Sequence, residues 1–510
     1  MPDKILVTNC SALSAKYGAR GLKAVLDAVK VLVAADKAKG LATQLVDISD
    51  VATMKKFKGA AVTSSKNERQ SKNAVDAIYA SVKPDYLVLL DGPDVLPHLI
   101  LDNPAAGDGD KHVPSDLPYA SEASFTKRDA AAFAAVTRVV GRVPGITGAN
   151  DPTFLIKQLK AAAAFKTLKR ADYLKHFAIS AEVWEKSTEE SVDNIFGSPA
   201  IKLCPPTASP GVAKLLAPVC HFINCHGAAV DPQFYGQRGN QYPTAMTSDD
   251  VAKGAKRNAL VAAECCYGAQ LYDPALANGK RPISNAYLDA GAVGFFGSTT
   301  IAYGPAEGNG AADLLTQYFL ISALDGASLG RACLQARQKF VLGEKMEDPI
   351  NLKTLAQFIL LGDPSLQPCE AEGKEARANV KIVEPAAARE TRRIALVAAG
   401  KAAFESSGYP GKELLRPPKR LHTLVRKLAR QRGFRARPQN FVAFQVVGGG
   451  NYGQEMKKRG VEQKVLMLIE HAKLRGRAAK AMPKGLQQTR VFVAHAQNNH
   501  LAEVAEYVRR

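Results

Sequence analysis

The 510-residue chain has no run approaching the roughly 18 consecutive apolar residues of a membrane-spanning helix. Its start, Met1 to Thr8, lacks a positive n-region, a long apolar run and a small-residue cleavage site, so no transmembrane segment and a cytoplasmic location are expected. The eight cysteines (Cys10, Cys204, Cys220, Cys225, Cys265, Cys266, Cys333 and Cys369) follow no regular spacing, and several sit in apolar runs. That argues for free thiols in a reducing compartment rather than a disulfide frame. Zinc spacing is missing as well, because Cys220, His221, Cys225 and His226 alternate faces along one strand and do not converge on one ion. No Asp-rich loop of the EF-hand kind occurs. The segment Gly448 to Gly453 follows an apolar run but lacks the Lys and Ser/Thr of a phosphate loop, and reads as a turn. Long polar tracts are absent too, and 46% of residues are hydrophobic, which sets the expectation of a globular chain of two to four domains.

What is present is a pair of apolar runs that each end in a reactive residue. Val219 to Asn224 leads to His226-Gly227, and Leu260 to Ala263 leads through Glu264-Cys265 to Cys266. In parallel sheets, strands buried on both faces read as continuous apolar stretches, and reactive groups gather past their carboxyl ends. Between the runs, Thr247-Ser248-Asp249-Asp250 reads as a capped helix start, so a right-handed crossover makes the two ends neighbours. A thiol with an ordinary pKa near 8.5 is only a few per cent thiolate at neutral pH, and an adjacent imidazole both activates it and protonates the leaving amine. Gly227, lacking a side chain, lets its backbone N–H approach a scissile carbonyl beside that of Cys266. Adjacent residues of a strand face opposite sides, so only one of Cys265 and Cys266 faces His226, and the other packs in the core.

These blocks, followed by Gly294-Phe295-Phe296-Gly297-Ser298-Thr299 and Leu361-Gly362-Asp363-Pro364-Ser365-Leu366, resemble the gingipain family of caspase-like cysteine peptidases. Pro84 to Pro97, Ser115 to Tyr119 and Val140 to Pro144 agree in order, and the resemblance covers roughly residues 80 to 368, more loosely from residue 1. It implies a caspase/gingipain-like parallel-sheet α/β sandwich in two subdomains, acting as a cysteine endopeptidase that cuts protein or peptide substrates after Arg or Lys. It places the nucleophile on Cys266 and the proton shuttle on His226. Glu182, in Ser180-Ala181-Glu182, takes the role of an acid orienting the histidine. For the acid at the bottom of the specificity pocket it offers Glu189, Glu190 and Asp193, and for an aromatic wall Tyr303. It admits calcium without locating a site; no other cofactor or metal is expected.

The first 165 residues alternate apolar strands with helical stretches: Ile5 to Val7, a helix around Gly21 to Ala34, Ala42 to Asp47, a helix around Asn73 to Val82, then Tyr86 to Leu90. That is the pattern of a doubly wound sheet. The expected division is an N-terminal subdomain over 1–168, a catalytic subdomain over 169–368, a linker over 369–390 and a small basic α/β domain over 391–510. Residues 371–510 hold 29 Lys and Arg against 11 Asp and Glu, so 18 of the 20 net positive charges lie there. Within it, strands are expected at Ile394 to Val397, Phe441 to Val447, Val465 to Ile469 and Val491 to Ala494, with helices at Leu421 to Gln431 and Leu501 to Tyr507. Basic clusters across 416–480, with Phe434 close enough to stack on a base, suit an anionic partner such as nucleic acid or an acidic protein; a solvated face that aids solubility is the alternative. A second reading of the whole chain is therefore a catalytically silent scaffold that keeps the peptidase fold and binds through this domain.

Overall fold

The computed structural model describes residues 2–305, 307–371, 386–414, 416–448, 450–472 and 482–510. The peptidase-like part carries strands β1 (Lys4–Thr8), β2 (Thr43–Asp47), β3 (Tyr86–Leu90), β4 (Leu99–Asp102), β5 (His112–Ser115) and β6 (Val140–Val143). They are followed by β7 (His176–Ala181), β8 (Lys202–Cys204), β9 (Cys220–Asn224), β10 (His226–Gly227), β11 (Gln233–Tyr235) and β12 (Thr244–Thr247). Then come β13 (Leu260–Ala263), β14 (Gly294–Ser298), β15 (Tyr303–Pro305) and β16 (Phe358–Leu361).

Ten of these form one sheet in the order β2-β1-β3-β6-β16-β14-β13-β9-β7-β8. Every pairing is parallel except β14 with β16, so two parallel halves meet along one antiparallel seam. Strands from before residue 168 form one end of this sheet and strands from after it the other, joined where β6 pairs with β16. Strands β1, β3, β9, β13, β14 and β16 are buried throughout, which is why they read as unbroken apolar runs. Two cores lie on opposite faces, and β13 feeds them alternately: Leu260 and Ala262 point into one, Val261 and Ala263 into the other. The expected helix start is a capping box, in which the Thr247 side chain accepts from the Asp250 N–H while the Asp250 carboxylate accepts from the Thr247 N–H.

The remaining strands, β17 (Gly408–Glu413), β18 (Phe441–Gly448), β19 (Gln463–His471), β20 (Thr489–Gln497) and β21 (His500–Arg509), make a second, antiparallel sheet ordered β15-β21-β20-β19-β18-β17. Its first strand belongs to the peptidase part. Two expectations change here. Ile394 to Val397 lies inside the helix Ala386–Glu405, because the Ala-rich sequence after it continues a helical stripe that docks on the helix Leu329–Gly343, where the Gln338 amide donates to the Leu396 carbonyl. Leu501 to Tyr507, apolar at every third residue, is strand β21; pairing on both of its edges overrides the local period. The helix Lys419–Gln431 and strands β18 to β20 fall where expected. Among the described residues no helix is long and apolar enough to cross a membrane.

Candidate active site

Strands β9 and β13 are parallel neighbours, so the residues beyond their ends share one rim of the sheet. Cys265 and Cys266 turn to opposite faces. Cys265 packs in the second core, accepting the Cys225 N–H, whereas Cys266 belongs to the first core and turns toward the loop after β14. The chain bends sharply past the thiol: Tyr267 adopts φ +57°, held by its N–H on the Thr300 carbonyl and its hydroxyl on Asp110 at 2.6 Å. Such a conformation is costly for an aromatic residue and persists because those contacts over-determine it. Gly227 lies so close that a Cβ there would overlap the Cys266 carbonyl, so only glycine fits.

His226 is buried, with the edge of Trp184 at 4.3 Å between ring centroids. Its Nε2 meets Gln237 Oε1 at 2.7 Å, and the Gln237 amide nitrogen in turn donates to the Gly239 carbonyl at 2.9 Å. That second bond fixes which end of the amide faces the ring, so His226 carries its proton on Nε2 and leaves Nδ1 as a free base. Nδ1 has no hydrogen-bond partner among the described residues. Glu182, expected to orient this ring, instead pairs with Arg238, which with Glu182 lies at the surface. Sequence reasoning missed Gln237 because an amide on the β11–β12 hairpin carries no spacing signal.

The pocket beside the thiol is filled by the chain's own Arg510. Its backbone carbonyl accepts the Cys266 thiol hydrogen, and its N–H donates to the Ala302 carbonyl at 3.0 Å. Ala302 N–H also points at Cys266 Sγ, 3.2 Å away. The Arg510 side chain, with no solvent exposure, runs inward past Gly304, where any Cβ would collide with the guanidinium. Nη2 reaches both oxygens of Asp313, at 2.9 and 3.0 Å, and the Trp184 ring lies 4.8 Å from the guanidinium carbon. Asp313 comes from the helix Ala312–Leu324 and is wholly buried. Glu264, just before the two cysteines, is buried with it; burial and then the neighbouring Asp313 push the Glu264 carboxyl far above the usual range. The acids expected at the pocket floor lie elsewhere. Glu189 is half-buried, Glu190 and Asp193 are exposed, and the same helix turns Ser187 toward Arg510 instead. Tyr303 is fully buried beside Arg509, but its hydroxyl donates to Asp108 and the wall touching the guanidinium is Trp184. The missed signals were two lone acids in otherwise apolar runs, Glu264 and Asp313.

In this state neither reactive group is charged. Burial pushes the Cys266 thiol up, only partly opposed by Arg509. Burial also drives His226 down to about 3, with Arg509 and Arg510 adding to it against the Gln237 bond. Among the described residues no group of three or more His, Cys, Asp or Glu is placed to hold a metal ion. Asp108 and Asp110 come together, but around the Lys353 ammonium. None of the eight cysteines forms a disulfide.

In the basic unit, Phe434 is buried with its edge on Phe492 and Arg490 over its face, so it is not available to stack on a base. Lys473, Arg475, Arg477 and Lys480 lie outside the described residues.

The large, mostly parallel sheet and its crossover are consistent with a cysteine peptidase-type α/β fold. Residues 15–369 match the model of Peptidase family C25, and the chain belongs to that family, the gingipains' own. Among curated proteins no relative matches. Three solved structures are similar at low identity. One, described as "Structure of Protease", is 12% identical with a TM-score of 0.45, covering 99% of this chain and 96% of its own. Two separase–securin complexes from Saccharomyces cerevisiae are 11% and 12% identical with TM-scores of 0.30 and 0.28, each over 46% of this chain and 14% of theirs.

Proposed function

We propose that the chain is a cysteine endopeptidase that cuts after arginine, with Cys266 as nucleophile and His226 as proton shuttle. The observation that carries this reading is Arg510: its side chain ends on Asp313 while its carbonyl sits at the Cys266 thiol, the positions of the residue before a scissile bond and of the bond itself. Arginine is favoured over lysine because Asp313 is met by the far nitrogen of the guanidinium, a point a lysine ammonium does not reach.

In the reaction, His226 Nδ1 takes the thiol proton as Cys266 Sγ adds to the carbonyl carbon, and the oxyanion is met by N–H groups of Gly227 and Cys266. The imidazolium then protonates the leaving amine as the C–N bond breaks, giving a thioester. Water, losing a proton to His226, attacks the thioester and frees the acid and the thiol. Gln237 keeps the ring in the required tautomer throughout. Asp313 is the carboxylate that meets the arginine side chain, and burial favours the neutral form of its neighbour Glu264.

The test is a peptide library varied at the residue before the cut, incubated with the chain, with Cys266→Ala and with Asp313→Asn. Cleavage after arginine should vanish in Cys266→Ala and fall about 100-fold or more in kcat/KM in Asp313→Asn. Cleavage that persists in Cys266→Ala, or an arginine preference unchanged in Asp313→Asn, would defeat the reading.

A further inference from the structure

β21 reaches the pocket as a strand, not as a loose end. It pairs antiparallel with β15 over Tyr303–Arg509, Gly304–Val508 and Pro305–Tyr507, and the Arg510 N–H to Ala302 bond continues that ladder to the thiol. Arg509, beside Arg510, donates to the carbonyls of Gly227 and Gly485 and so lies across the glycine that faces the nucleophile. An extended peptide added to a sheet edge with one side chain in a deep pocket is a common way of recognising peptides. Here that place is taken, and Cys266 and His226 have 0% and 4% exposure.

We propose that the C-terminal unit is a built-in, substrate-mimicking inhibitor: β21 occupies the β15 edge and the Asp313 pocket that an extended, arginine-bearing peptide requires, so the enzyme works only when that strand lifts away. The inference rests on the peptidase reading for the identity of the displaced substrate. The seam that opens is the β15–β21 one. On its other edge β21 is paired with β20 from Arg490–Val508 to Gln497–His500, far longer than the stretch on β15, so β21 leaves with its own sheet. The helix Ala386–Glu405 stays docked on the peptidase part through Gln338 and serves as the tether. Opening also removes Arg509 and Arg510 from His226, two of the causes that hold its imidazole neutral.

Trp184 is the chain's single tryptophan and lies against the Arg510 guanidinium, so its emission reports the strand's position without any catalysis. The experiment compares the full chain with Arg510→Ala and, as a milder variant that keeps the Arg510–Asp313 pair, Arg509→Ala. Three readouts are followed: Trp184 emission, the rate of Cys266 alkylation by iodoacetamide mapped by mass spectrometry, and turnover of an arginyl fluorogenic amide. Arg510→Ala should shift the emission, speed alkylation about tenfold or more and raise turnover, with smaller changes of the same sign for Arg509→Ala. Alkylation of the unaltered chain as fast as that of both variants, with emission unchanged, would overturn the proposal. Should emission and alkylation change while no form cleaves the amide, the plug stands and it is the peptidase reading that falls.

Discussion

The two sheets of this molecule handle charge in opposite ways. In and around the ten-stranded sheet, cations are taken out of water and paired from several sides. Arg142, fully buried, places Nε and Nη2 on both oxygens of Asp116 at 2.9 and 2.6 Å and gives Nη1 to the carbonyls of Asp91 and Leu96. Lys4 sits between Asp36 and Asp363, and Lys353 between Asp108 and Asp110. In the antiparallel unit the positive excess is solvated: Arg432 and Arg490, roughly half exposed, meet Glu506 at the surface, and Arg459 meets Glu455 there. Among that unit's described residues Arg510 is the cation with no exposure at all, and its partner belongs to the other sheet. The contrast separates charge that fixes a fold from charge that is spent on a partner, here the pocket of the same chain.

The sharpest way to break the comparison is to remove a buried anion. Asp116→Ala should cost about 3–5 kcal/mol, because Arg142 would be left buried without its counter-charge; the midpoint of urea unfolding measures it. Burial alone would raise the Asp116 carboxyl, but Arg142 and then His98 outweigh it and hold it below the usual carboxylate range. Its stabilising share is therefore present above the ordinary carboxyl pKa and is lost as pH falls through the folded value.

A smaller effect comes from the buried imidazoles of the same sheet. His221 accepts from the Tyr287 hydroxyl at Nδ1 and donates from Nε2 to the Pro218 carbonyl, each at 2.8 Å, and burial lowers it to about 4. Folded, it stays neutral while the unfolded chain takes up a proton near pH 6.5, so stability falls as pH drops from that value toward 4. Between pH 7 and pH 5 the loss should be about 2 kcal/mol from this residue. In denaturant titrations His221→Phe should flatten that slope; a slope unchanged by the substitution would show that another group carries it.

The sequence exposed the parallel sheet because burial on both faces forces unbroken apolar runs, and it marked Cys266, His226 and Gly227 as candidates because they end two such runs. The pocket was hidden for a physical reason. Its acid, Asp313, stands on a helix 47 positions after Cys266, and its aromatic wall, Trp184, comes from a turn before the helix Glu185–Phe196; only the packing of those elements on the sheet brings them together. Glu182 was misplaced for a related reason, since a carboxylate at the rim pairs with whichever cation is near, and Arg238 is nearer than the imidazole. Leu501 to Tyr507 reads as a helix because its apolar residues recur at every third position, and its strand state comes from two partners, β20 and the sequence-remote β15.

The antiparallel unit offers the smallest change and the finest test of the contrast. Glu506 receives Arg432 at 3.0 Å and Arg490 at 3.1 Å, a geometry as good as that of the buried pairs. Were distance what mattered, Glu506→Gln would cost as much as Asp116→Ala. With water screening both arginines, the expected loss is about 1 kcal/mol or less, and it should shrink further as salt is raised. Unfolding of Glu506→Gln at low and high ionic strength reads this directly. A loss of several kcal/mol, indifferent to salt, would mean that the surface cations of this unit are structural after all, and that its positive charge is not available for any partner.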